Sequence, residues 1–170
     1  MFIDKIERIV KVIKPDSEDQ SSGWMATKVF LAGSIEMGAA EDWQVTVPKM
    51  FEGSNLNVTF YNPRRDDWDS SWTQEQSSLQ FNYQVNWEMN KLDNSEIIFM
   101  YFSPGTQSPI SLLELGAYGG KSDMIVCCPD GFWRKGNVEI FCTRHNIPMF
   151  NTMEQAVGAL RTKIFEKNNY

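Results

Sequence analysis

The sequence predicts an α/β protein: a doubly wound parallel sheet of five strands with helices on both faces. Three observations carry this. Short apolar runs (KVFL, NVTFY, EIIFMYF) alternate with stretches of helical periodicity. The runs are nearly continuous in hydrophobicity, the pattern of strands covered on both sides. Several end in turn-forming segments, Ala32-Gly33-Ser34, Asn62-Pro63-Arg64-Arg65 and Ser103-Pro104-Gly105, as the strands of a βαβ chain do.

Residues 1–27 read as an amino-terminal extension, an edge element followed by a linker. Phe2, Ile6, Ile9 and Ile13 fit a helical stripe, whereas the β-branched content of Ile9–Ile13 suits a strand, so both readings stay open. Pro15 ends the element, and Asp16–Gly23 is a polar loop or mobile linker. Residues 28–170 form the main domain. Lys28–Leu31 is its first strand. A helix over Glu41–Phe51 is broken or started around Pro48 and stopped near Gly53. Asn57–Tyr61 is the second strand, and a polar, tryptophan-bearing loop covers Asp66–Gln76. Ser78–Leu92 is a helix with Phe81, Val85, Met89 and Leu92 as its apolar stripe, and Glu96–Phe102 is the third strand. Pro109–Tyr118 is a short helix stopped by Gly119-Gly120. Asp123–Cys128 is the fourth strand, Val138–Cys142 with Met149–Phe150 marks a fifth strand region, and Met153–Glu166 is a closing amphipathic helix.

Composition narrows the function. The 170 residues are 42% hydrophobic and 22% charged, ordinary for a globular protein. With a net charge of −6 and no basic run beyond Arg64-Arg65, no cationic stripe exists for a nucleic-acid polymer. Three cysteines, two of them adjacent, and the single His145 form neither a disulfide framework nor a metal-ligand spacing. No GxGxxG or GK[ST] motif occurs, so no metal and no cofactor is expected. Acids and bases interrupt the amino-terminal apolar residues, and no apolar stretch approaches membrane-spanning length. The expected protein is cytoplasmic and makes no membrane contact.

Ligands of doubly wound sheets sit beyond the carboxyl ends of the strands, which directs attention to the loops starting at Gly33, Asn62 and Ser103. Glu114 is the most informative residue there. It is the only charged side chain between Ile97 and Gly120, on a helix apolar nearly all round. A lone buried carboxylate costs several kcal/mol unless something satisfies it, so such acids are functional or paired. Glu88 is the second such acid, falling within the inward face of the 78–92 helix. Two carboxyls directed at one cleft suit glycosidic chemistry; the competing reading of Glu88 is an ion pair with an arginine such as Arg64. Ser108 suits the N-cap of the Glu114 helix, whose amino end, with Thr106 and Ser111 nearby, is suited to an anion. Asn62, Arg64 and Asp67 offer groups for phosphate, sugar or base, and Trp68 and Trp87 offer rings for stacking on a heterocycle. Gly33 permits close approach to a ligand.

The turn FLAGSIE, the run NPRRDDWD, the segment QVNWEMNKLDNSEIIFMYF and the stretch SPISLLELGAYGGK together resemble the nucleoside 2-deoxyribosyltransferase family, in its deoxyribosyltransferase-like branch. The likeness spans about residues 28–145 and is most specific at LLELGA with its upstream WE helix. It implies a flavodoxin-like sheet, a nucleoside or nucleotide as partner, a homo-oligomer, and a retaining double displacement at the N-glycosidic bond. By position Glu114 matches the nucleophile, Glu88 the acid that moves protons to or from the base, Gly33 and Ser34 the ligand-lining turn, and Ser108 a phosphate-binding serine of related 5′-monophosphate hydrolases. The chain departs from the family in lacking an acid within Gly105–Leu113 and in carrying Ser34-Ile35 where an aromatic residue is usual. Both departures favour a nucleotide or modified nucleoside as substrate. The alternative function is a binding or sensing module that holds a nucleotide derivative without turnover.

Overall fold

A computed structural model describes residues 8–35, 41–67 and 71–170. Six strands and five helices alternate along these: β1 (Val10–Ile13), β2 (Thr27–Gly33), α1 (Trp43–Lys49), β3 (Val58–Tyr61), α2 (Leu79–Asn94), β4 (Ile97–Tyr101), α3 (Pro109–Tyr118), β5 (Met124–Cys127), α4 (Lys135–Arg144), β6 (Met149–Phe150) and α5 (Met153–Asn168). Every pairing is parallel, in the order β1-β3-β2-β4-β5-β6. The doubly wound, flavodoxin-like architecture expected from the sequence is the one observed.

The strand count is six rather than five, and two segments account for the difference. Val10–Ile13 is a strand, paired with β3 from Val10–Val58 to Ile13–Tyr61. Val138–Cys142, expected as strand, lies within α4. The residue types there favour a strand, but the burial has helical spacing. Val138 and Cys142, four residues apart, are buried, while Ile140 between them is 73% exposed. Met149–Phe150 is the strand on that edge.

The sheet separates two cores because successive side chains of a strand point to opposite faces. Phe30, Ala32, Ile98, Met100, Val126 and Cys128 face α2, α3 and α4, where Trp87, Leu115 and Val138 meet them. Val29, Leu31, Ile97, Phe99, Ile125 and Cys127 face α1 and α5, where Trp43, Val47, Val157 and Leu160 meet them. Each Val, Leu, Ile, Phe or Met among them, fully buried, contributes roughly 1.5–3 kcal/mol, so the runs that looked featureless in the sequence hold both layers. The three cysteines are free and buried, and burial pushes their thiols up to about 11 or 12.

The segment before β2 is an anchored loop. Gln20 accepts a hydrogen bond from Trp87 Nε1 (2.9 Å), Tyr83 Oη donates to the Pro15 carbonyl (3.1 Å), and Gly23 N–H donates to Thr59 Oγ1 (3.1 Å). No described helix is long and apolar enough to cross a membrane.

Candidate functional site

The chain leaves β2 for β3 on one side and later places β4 on the other, so the order reverses between β2 and β4. The carboxyl end of β2 is held tightly against β4. Gly33 has φ 136°, and a Cβ there would lie 2.1 Å from the Tyr101 carbonyl oxygen. Only glycine fits. The close approach this glycine permits is therefore to a neighbouring strand.

Beyond it, Ser34 Oγ accepts the Ser103 N–H (2.9 Å) and lies 2.6 Å from Ser108 Oγ and 2.9 Å from Thr106 Oγ1. Thr106 Oγ1 donates to the Ser103 carbonyl at 2.8 Å. All four residues are buried. Ser108 occupies the N-cap position of α3, as expected, but its side chain makes no capping bond. Its backbone is left-handed, φ 48° and ψ 53°, a conformation that costs a non-glycine residue roughly 1–2 kcal/mol. The strain turns Ser108 Oγ toward Ser34 and fastens the start of α3 to the exit of β2.

One and a half turns along α3 stands Glu114, half-buried between buried Ser111 and Leu115. Glu88 stands half-buried on α2, whose buried positions are Gln84, Trp87 and Leu92. Met89, expected in the buried stripe, is 52% exposed; the inward face is rotated toward Gln84 and Glu88. The far ends of the two helices are joined by Tyr118 Oη donating to Asp93 Oδ1 at 2.7 Å.

Among the described residues, no cation pairs with either acid. Burial, and then the charge of Glu88, pushes the Glu114 carboxyl from 4.5 up to about 8. Burial pushes Glu88 up to about 7 against the opposing effect of a Gln84 N–H bonded to it at 2.6 Å. Two acids raised in this way and acting on one another titrate as a pair. Such a pair combines a carboxylate with a carboxylic acid, the combination that attack on a glycosidic carbon and protonation of its leaving group require.

The β3 end is organised around Asn62. It is buried, its Oδ1 accepts the Arg64 N–H (2.9 Å), and its own N–H donates to the Ile13 carbonyl (2.9 Å). Arg64 turns to Asp42 (3.8 Å) and the Glu41 carbonyl (3.4 Å), so the expected competing ion pair with Glu88 does not form. Asp67 is exposed and tied to Arg65 through two bonds of 2.8 and 2.9 Å, with Arg65 also over the Trp72 ring. Trp87 is 6% exposed, its ring edge-on to Tyr61 and tilted against Phe30. That position is in the core. Trp68 lies outside the described residues. The structure thus gathers Gly33, Ser34 and Ser108 at one strand end, holds Asn62 and Arg64 at the next, and leaves Asp67 at the surface.

Gln84 and Ser103 were not anticipated. Gln84 had a signal, since it sits four residues before Glu88 and shares its helix face. Ser103 contributes a backbone N–H, which no side-chain pattern announces. His145 is exposed, its ring tilted against Phe141 with centroids 4.3 Å apart. Among the described residues no group of three or more His, Cys, Asp or Glu stands together as a metal site.

Compared with known families, residues 26–132 match the model described as nucleoside 2-deoxyribosyltransferase like, a span from the base of β2 past the end of β5. No curated protein matches the chain.

Proposed function

The chain belongs to the nucleoside 2-deoxyribosyltransferase-like family, and on that premise we propose that it cleaves or transfers the N-glycosidic bond of a nucleoside or nucleotide by retaining double displacement through Glu114. The observation that carries this reading is the pair of half-buried acids on α2 and α3, free of cation partners among the described residues and acting on one another.

In the first step a Glu114 carboxylate oxygen bonds to C1′ while the C1′–N bond breaks, its electron pair going to the base nitrogen. Glu88 supplies the proton that nitrogen takes up. In the second step an acceptor base or water attacks C1′, Glu88 removes its proton, and Glu114 leaves as carboxylate. A base as acceptor makes the enzyme a transferase and water makes it a hydrolase. Gly33, Ser34, Asn62, Arg64 and Ser108 are assigned to the sugar and its 5′ substituent, because they cluster at the adjoining strand ends.

The test is incubation with deoxynucleosides and 5′-monophosphates, with and without a free acceptor base, following base release by chromatography. Glu114→Ala is expected to lose at least roughly 10³-fold in turnover while still binding. Tight binding without turnover in the unaltered protein would instead establish the sensing module.

A further inference from the structure

We propose that Gln84 is a positioning residue for the carboxyl pair: clamped to the Pro63 carbonyl at the exit of β3, it presents a fixed N–H to Glu88 and favours the ionised form of that acid. The clamp is a matter of geometry. Its meaning for turnover rests on the function proposed above.

Gln84 Nε2 donates to the Pro63 carbonyl at 2.9 Å and to Glu88 Oε1 at 2.6 Å. A backbone carbonyl only accepts, so the amide cannot be turned over without losing the Pro63 bond. Its nitrogen is held facing Glu88, and an N–H donor favours the ionised acid. The opposite end of the amide makes the case stronger. Gln84 Oε1 is buried with no partner, an arrangement that opposes folding. Methionine has similar volume and no orphaned acceptor. What glutamine supplies and methionine does not is the pair of N–H groups.

The charges around Glu88 leave this role to Gln84. From α3 comes only Glu114, a like charge. On α2 itself, Lys91 lies over the Tyr61 and Trp87 rings at 4.7 and 5.8 Å. From the β3 exit, Arg64 turns to Asp42. Among the described residues Gln84 is the one donor to Glu88, and its N–H opposes the burial that raises that carboxyl. The proposed reaction begins with the proton on Glu88, which must then give it up to the leaving base. By keeping the proton affinity of Glu88 near neutrality, the clamp lets that acid take the proton and release it again to the base.

The experiment is a titration of ligand-free protein labelled at the glutamate δ-carbons, with the two resonances assigned through Glu88→Gln and Glu114→Gln. In folded Gln84→Met the Glu88 midpoint is expected to rise by about 1–2 pH units, the usual worth of a hydrogen bond to a charged group. An unmoved midpoint overturns the proposal. Should Gln84→Met fail to fold, Gln84→Asn withdraws the nitrogen by one methylene, and the same two outcomes decide. None of this requires a substrate, so absence of turnover and failure of the clamp are read separately. Where turnover is found, both limbs of the kcat/KM profile should move to higher pH in the variant; a fall in amplitude at fixed pH values would show a structural role alone and overturn the proposal.

Discussion

The hydroxyl cluster at the ends of β2 and β4 and the carboxyl pair on α2 and α3 both draw polar groups into the protein, and they treat them in opposite ways. Ser34, Ser103, Thr106 and Ser108 satisfy one another within 3 Å and are buried almost completely. Glu88 and Glu114 stay partly exposed and repel one another, and the Gln84 amide donates to Glu88 alone. The first arrangement fastens elements together. The second leaves an electrostatic problem for a ligand to resolve, which marks the place where bonds of the ligand would change.

The largest blow to the closed region should come from Gly33→Ala, because the added Cβ would overlap the Tyr101 backbone rather than a movable side chain. A loss of about 3 kcal/mol or more in denaturant unfolding is expected, and near-neutral stability would mean that β2 and β4 separate easily. Ser34→Ala should cost less, roughly 1–3 kcal/mol, since it leaves the Ser103 N–H and two hydroxyls without their common partner.

The open region should respond with the opposite sign. The unfolded chain releases the Glu114 proton as pH climbs past 4.5, whereas the folded chain keeps it until about 8. The acid therefore disfavours folding progressively across that window. Glu114→Gln cannot titrate, so it should stabilise the protein by roughly 2–4 kcal/mol at pH 8, about 1.4 per pH unit across the window less what partial exposure removes, and have little effect below 4.5. Thermal unfolding at both pH values checks this, and a stability loss at high pH would mean the acid is satisfied in a way that contradicts its raised proton affinity.

Much of this was legible in the residues. The bounds of α3 were read correctly because proline opens it and two glycines follow it. Glu114 stood out as a lone charge in an apolar stretch. Elsewhere the sequence was silent for identifiable reasons. The β1 segment carried both periodicities, and its partner β3 is more than forty residues away. In α4, β-branched and aromatic residues masked a helical spacing of just two buried positions. Trp87 on a polar helix reads alike whether its ring meets a ligand or the core. Ser108 announced its capping position but not its left-handed backbone, which depends on Ser34 from a distant strand. Gln84, uncharged and on a polar helix, gave no sign that its amide reaches Pro63.

The Tyr118–Asp93 bond joins α2 and α3 about one turn beyond the two acids. That bond tethers to one another the two helices that carry the carboxyls, so a visitor that pries the acids apart must also work against it.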